Sequence, residues 1–241
     1  MKRRAFTLIE LLTVMGILAI LYAIFAPVAV RARNMATQTN AMMCLRQLMP
    51  ATSMYMSDND ERFPVAFYGD MDGPMAWFGS HTGIDQWDPK QGLLAPYTGG
   101  KMAKDPTARG LPWRGDGTGF GYNWGYLGSS HYIFERGDQP STAQEAELSS
   151  PSQTVVFATS SYYHAKWNGG NAATYDYGYI DPPFAWAGAP TVDCRHMGEK
   201  VVVEKELTSS GVALMQFADS SVRPVHLGQI RNSMFERQPR E

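Results

Sequence analysis

A carboxylate set among apolar residues is the first group in this chain that asks for chemistry. Glu10 lies between Phe6-Thr7-Leu8-Ile9 and Leu11-Leu12, and the twenty residues from Leu11 to Val30 carry no charge. At ~1.5 Å rise per residue a helix of that length covers about 30 Å, the thickness of a bilayer's hydrocarbon core. An acid inside such a span costs free energy unless it has a partner, so Glu10 signals function. The remaining reactive types are scattered. His81, His131, His164, His196 and His226 show no tight metal-ligand spacing, and no nucleophile elbow, phosphate loop or Cys-x-x-Cys pair occurs. Asp70-Met71-Asp72-Gly73 reproduces only a fragment of a calcium loop, without the further oxygen ligands and closing Glu. His196, flanked by Cys194 and Arg195, is the most suggestive histidine. Arg195 and His196 are expected to hydrogen-bond loop carbonyls and the turn at Asp219. Cys44 and Cys194 allow at most one disulfide, which requires their Cα atoms to approach within about 7 Å.

The elements that position these residues follow from periodicity. Lys2, Arg3 and Arg4 form a basic flank of the kind that stays on the cytoplasmic side of a membrane. The far flank, Val28-Ala29-Val30-Arg31-Ala32-Arg33, is a poor match to the cleavage site of a secretory signal. Arg3-Arg4-Ala5-Phe6 resembles a twin-arginine export signal, a reading in which the chain is released as a soluble exported protein and Glu10 has no role. A permanent membrane helix gains support from what comes next. Leu45, Leu48, Met49, Thr52 and Met56 recur at three- and four-residue spacings, while Arg46, Gln47 and Ser53 take other faces. One helix from about Phe6 to Ser57 is expected, kinked or loosened at Pro27 and Pro50 and ending at Asp58-Asn59-Asp60-Glu61.

Beyond it the composition changes. All six tryptophans fall between Trp77 and Trp186. Residues 154–158, 201–203, 211–217 and 222–225 read as strands, with Asp219-Ser220-Ser221 as a hairpin turn. Residues 62–190 otherwise predict long loops and short strands, and the polar tail from Gln229 predicts a frayed end. Trp113, Tyr122, Trp124, Tyr126, Trp167, Tyr175, Tyr177, Tyr179 and Trp186 admit two readings. They form either an exposed face for sugars or surfaces, as on an anchored or tip binding module, or a buried core in a head poor in aliphatic residues. A net charge of -2 argues against a general nucleic-acid binder.

The opening, with its basic leader, Phe6-Thr7-Leu8-Ile9-Glu10-Leu11-Leu12 and Pro27 in register, resembles that of type IV pilins and type II secretion pseudopilins. The resemblance implies an α+β fold: a leader at 1–5, an N-terminal helix at 6–57 with its membrane part at about 11–30, and a head at 58–241 with a small antiparallel sheet and long loops. It implies that prepilin peptidase cuts between Ala5 and Phe6, where relatives usually carry Gly before the cut, and that the new N-terminus of Phe6 is methylated. Glu10 and Pro27 would then serve assembly, Glu10 by meeting the amine of Phe6 on a neighbouring subunit. Other segments also resemble a large pseudopilin-like group, notably Arg195-His196-Met197-Gly198 and Phe217-Ala218-Asp219-Ser220, where relatives have Gly at the last position. Many members of that group carry a Cys-Pro pair where this chain has Asp105-Pro106, so the usual partner of Cys44 is missing. Some pseudopilins hold calcium in a C-terminal loop, which makes Asp193 and Asp219 candidate ligands; no other cofactor is implied. The implied role is structural rather than enzymatic. Its partners are the peptidase, copies of this or other pilin-like subunits, an inner-membrane assembly platform and the lipid bilayer. The implied location is a single-pass bacterial inner-membrane anchor with the head in the periplasm or on an external filament.

Overall fold

The computed structural model describes residues 7–68, 75–83, 86–108, 111–112, 117–128, 142–168, 171–183, 191–198, 200–203, 206–209 and 211–237. The leader, the Ala5-Phe6 cut site, the Asp70–Gly73 stretch, His131, Trp113 and Trp186 lie outside them.

A long stem opens the structure, formed by α1 (Leu8–Arg46) and α2 (Leu48–Asp58) with only Gln47 between them. It begins in a capping box. The Thr7 hydroxyl accepts the Glu10 N–H at 3.3 Å, and the Glu10 carboxylate accepts the Thr7 N–H at 2.8 Å. Two of the donors that a helix start leaves without partners are thereby satisfied. α1 runs through Pro27 without interruption. The interruption at Gln47 lies three residues before Pro50. A proline lacks the N–H that would bond the carbonyl four residues back, here that of Arg46, and its ring crowds that carbonyl. Gln47 instead closes a tighter turn onto Cys44 at 3.2 Å. The stem ends where Asp60 and Glu61 adopt left-handed backbone, with φ of 54° and 57°.

Thirteen short strands follow among the described residues: β1 (Phe67–Tyr68), β2 (Met75–Ala76), β3 (Gly79–Gly83), β4 (Gln86–Asp88), β5 (Leu111–Pro112), β6 (Phe120–Tyr122), β7 (Val155–Thr159), β8 (Tyr162–Asn168), β9 (Asn171–Asp176), β10 (Lys200–Val203), β11 (Glu206–Ser209), β12 (Val212–Phe217) and β13 (Val222–His226). The four strand runs expected from sequence are β7, β10, β12 and β13. The sheet that organises the head is antiparallel, in the order β13-β12-β7-β6. β1 to β4 form a meander, β10 and β11 a two-stranded ribbon, and β8-β9 a hairpin whose second strand also pairs in parallel with β5.

Side chains alternate across a strand, so the central sheet has two faces, and both are covered. Phe120, Tyr122, Phe157, Leu214 and Val222 pack on Ala41, Leu45, Leu48, Met49, Tyr55 and Met56 of the stem. Val155, Ala158, Ala213, Met215, Phe217 and Val225 meet Tyr126, Ile180, Val192, Cys194, Ile230 and Phe235 on the other. The tail therefore does not fray at Gln229. Phe235 is fully buried, and its carbonyl accepts the Asn123 amide at 2.8 Å. The end of the stem is thus part of the head's core, while its first half touches no core at all.

Candidate functional site

The exposed half of the stem is the dominant surface feature. Fifteen large apolar side chains between Leu8 and Val30 are 45–81% exposed, and 51 residues from Leu8 to Asp58 form one helix long and apolar enough to cross a membrane. Fully covering each such side chain is worth roughly 1.5–3 kcal/mol. The sum, about 20–45 kcal/mol, exceeds the net stability of a typical domain, about 5–15 kcal/mol. A surface of that kind is covered by lipid or by other protein. Glu10, at the start of this surface, accepts from both the N–H and the hydroxyl of Thr7, at 2.8 and 2.7 Å. The Thr7-Leu8-Ile9-Glu10 spacing is the signal that would have announced this cap in the sequence.

A second constellation lies where the stem enters the head. Arg195 donates to the Ser160 carbonyl, its Nε lies 3.0 Å from Asp193 Oδ2, and its Nη1 lies 3.8 Å from Asp105 Oδ2. His196 Nε2 lies 3.3 Å from the same Asp105 oxygen. The other Asp105 oxygen, Oδ1, accepts the Thr107 N–H at 2.8 Å and the Thr107 hydroxyl at 2.6 Å. These side chains are nearly all buried, with Asp105 and His196 at 0 and 1% exposure. Burial alone would raise the Asp105 carboxyl, but the neighbouring His196, Arg195 and Thr107 outweigh it and hold it below the ordinary carboxylate range. Asp176, the neighbouring carboxylate, goes the other way. Burial raises it more than Arg195 and the Gly119 N–H lower it.

The backbone around this knot is unusually close. Gly211 passes so near the loop that a Cβ would meet the Cys194 and His196 carbonyls at 2.4 and 2.5 Å. Gly119, at φ 74°, offers its N–H to Asp176 where a Cβ would strike Asp105. His196 and Val212 exchange both backbone hydrogen bonds, at 3.1 and 2.7 Å. The expected partners of Arg195 and His196 are therefore corrected. Arg195 binds a loop carbonyl as expected, but the carboxylates that Arg195 and His196 meet are Asp105 and Asp193, not the Asp219 turn. Asp219 instead accepts the Ser221 N–H at 2.9 Å within its own hairpin, where Ser220 takes φ 67°. Phe217 and Ala218 belong to the core, and Gly198 is exposed beside the knot.

Three further expectations fall on this region. Cys44 and Cys194 are free thiols, not a disulfide. Cys44 packs on the stem side of the central sheet and Cys194 in the core on the opposite side. Burial pushes the Cys194 thiol up to about 11, and burial together with Asp105 raises that of Cys44. The candidate calcium ligands do not converge: Asp193 is engaged by Arg195 and Asp219 by Ser221. Among the described residues no group of three or more His, Cys, Asp or Glu is arranged to hold a metal ion. Of the aromatics offered as a binding face, Tyr122, Trp124, Tyr126, Tyr175, Tyr177 and Tyr179 are all buried, at 9% exposure or less. They build the core, with Trp124 donating to Asp181 at 2.6 Å and Tyr122 to the Pro64 carbonyl at 2.9 Å.

Residues 1–25 match the family model described as the prokaryotic N-terminal methylation motif. The chain thus carries a prepilin-type N-terminus, which implies processing by prepilin peptidase and assembly with other pilin subunits. The motif and the apolar helix fit a membrane-anchored, single-pass protein. Together with the long N-terminal helix and the antiparallel sheets of the head, they are consistent with the type IV pilin and pseudopilin-like class. Comparison with curated proteins and with solved structures gave no match.

Proposed function

We propose that this chain is a structural subunit of a type IV pilus-like or type II secretion filament. Prepilin peptidase cuts between Ala5 and Phe6, and the amine of Phe6 is methylated. The subunit waits in the bacterial inner membrane with its head in the periplasm. It then transfers its stem from lipid into a bundle of like stems on an assembly platform. The observation that supports this most is the stem, where a methylation motif leads directly into an apolar helix with no cover of its own. Burial of that surface drives the helices together, and the role is assembly rather than catalysis.

Glu10 has two possible partners that are mutually compatible in sequence. Within the chain it caps the helix through Thr7. In a filament its charge would meet the methylated amine of Phe6 on a neighbour, which helps to fix register because an unpaired carboxylate there is costly. Glu10→Gln separates the two, since glutamine can complete the same capping box but carries no charge. Glu10→Gln and Glu10→Ala are both expected to insert and be processed yet assemble poorly. Filaments of normal yield from Glu10→Gln would show that capping alone is the residue's role. Mass spectrometry of the mature chain, finding methylated Phe6 at the N-terminus, tests the processing step. An N-terminus beyond residue 30 would overturn the whole reading.

A further inference from the structure

Between the stem and the head lies a cavity of about 850 Å³, within the range of small-molecule sites, about 300–1,000 Å³. Val30, Arg33, Asn34 and Thr37 form its stem wall, a single helix face about 10 Å long. Val30 ends the uncharged run, so with the stem in a bilayer this wall rises through the headgroup layer, about 5–8 Å deep. The lining charges balance, but they do not all meet. On the head wall Arg195 and Asp193 hold one another at 3.0 Å. Arg33 and Asp176 remain, one on each wall, and among the described residues neither forms an ion pair. The charges that act on Asp176 are Arg195, Asp105 and Lys104, not Arg33. Asp176 is 9% exposed, and both its carboxylate oxygens share one donor, the Gly119 N–H at 3.0 Å.

A guest that satisfies both walls carries both signs, an anion for Arg33 and a cation for Asp176. The hydroxyls of Thr107, Ser161 and Thr174 also line the cavity, and no aromatic ring does among the described residues. That lining favours a primary ammonium, which donates hydrogen bonds, over a quaternary one, which donates none and is held by aromatic faces. Arg33 presents a guanidinium, the group best matched to phosphate. Toward the N-terminus the Val30 face continues as Ala26, Ala23, Ala19 and Gly16, at alternating spacings of four and three residues. Helix geometry borders this stripe with Met15 and Tyr22 on one side and Ile20 and Ile24 on the other, so a shallow channel leads from the cavity into the hydrocarbon layer. We propose that the cavity holds the headgroup of a phosphoethanolamine phospholipid, its phosphate on Arg33, its ammonium on Asp176 and one acyl chain along the Gly16–Ala26 channel. Burial raises the Asp176 carboxyl, and an ammonium in contact with it favours the charged form again. The lipid ties the head to the membrane surface for as long as the stem stays in the bilayer.

This site rests on the membrane-anchored part of the proposed function, and its test separates the two. The full chain is placed in nanodiscs of equal parts phosphatidylethanolamine, phosphatidylcholine and phosphatidylglycerol, and the lipid retained after gentle detergent extraction is counted by native mass spectrometry. Phosphatidylethanolamine is expected to be enriched about fivefold or more over each of the others. Arg33→Glu, on an exposed helix position, should abolish the enrichment. Asp176→Asn, whose amide oxygen still accepts the Gly119 N–H, should melt at the same or a higher temperature yet lose the enrichment too. Arg31→Gln, about 200° around the helix from Arg33, should keep it. Soluble glycerophosphoethanolamine, the headgroup without chains, should displace the lipid only at far higher concentration. Equal retention of the three lipids, or enrichment unchanged in Arg33→Glu and Asp176→Asn, would overturn the site and leave the anchored reading standing. Displacement by glycerophosphoethanolamine at the lipid's own concentration would overturn the acyl channel and with it the lipid as ligand. If the wild-type chain does not stay with the nanodiscs at all, the anchored reading falls as well.

Discussion

Removing the Asp105 carboxylate tests whether the buried knot holds the head together. In Asp105→Ala the Thr107 N–H and hydroxyl lose the acceptor they hold at 2.8 and 2.6 Å. His196 loses its carboxylate partner at 3.3 Å and keeps the Thr107 hydroxyl at 3.5 Å. Arg195 is not orphaned, because Asp193 Oδ2 lies 3.0 Å from its Nε and the Ser160 carbonyl still accepts from it. Breaking a buried pair typically costs about 3–5 kcal/mol, and the surviving Arg195 contacts place this case near the lower end, about 3 kcal/mol. For a chain of this size that is a fall in Tm of about 6–12 °C. The pH dependence gives an independent check. The folded Asp105 carboxyl lies below its ordinary value, so its stabilisation is fully present above the unfolded pKa and is lost as pH falls through the folded one. Wild type and Asp105→Ala should therefore differ most at neutral pH and converge on acidification below about pH 4. Circular-dichroism melts of the detergent-solubilised chain from pH 7 to pH 3 measure both effects. A fall of less than about 2 °C at pH 7, or a difference that persists unchanged at pH 3, would refute the assignment.

Two other expectations concern the head. Gln216 lies on the stem-facing side of β12, fully buried, with neither amide atom hydrogen-bonded. Gln216→Leu should raise stability by about 1–3 kcal/mol, read as a higher urea midpoint, because it removes a desolvated polar group that gains nothing in return. A thiol reagent at pH 8 should label Cys194 only after unfolding, and the denatured, unreduced chain should titrate as two thiols; a single mixed disulfide or none would contradict the free cysteines described above.

The stem was legible because its cues are local. Glu10, Pro27 and the apolar run lie within one short window, and Leu45 to Met56 keep a helical period. The hairpin at Asp219 was legible for the same reason, since Ser221 is bound two residues away. The knot was not. Asp105 and His196 are far apart in sequence, and nothing near Asp105 says that it faces Arg195 rather than water. The β8-β9 hairpin was also missed, although Asn168-Gly169-Gly170-Asn171 is a strong two-residue turn signal, because its strands mix polar and aromatic residues without clean alternation. The choice between surface and core for Tyr122, Trp124, Tyr126, Tyr175, Tyr177 and Tyr179 was made only by the sheet and loops that bury them. The break at Gln47 followed a rule that the sequence did contain. A proline disturbs the turn that precedes it, and Pro50 made that turn the junction between α1 and α2.

The stem passes into the head without a linker, since Ala41 and Leu45 of α1 are already core residues. The angular phase of the exposed stem relative to the head is therefore locked by helix geometry alone. Each residue added between Val30 and Ala41 would rotate one against the other by about 100° and lift it by about 1.5 Å. In any assembly of these stems, the surface pattern of heads is then a direct transcription of how the stems pack. A single inserted residue would rewrite that outer lattice without altering one side chain in either the stem's apolar surface or the head.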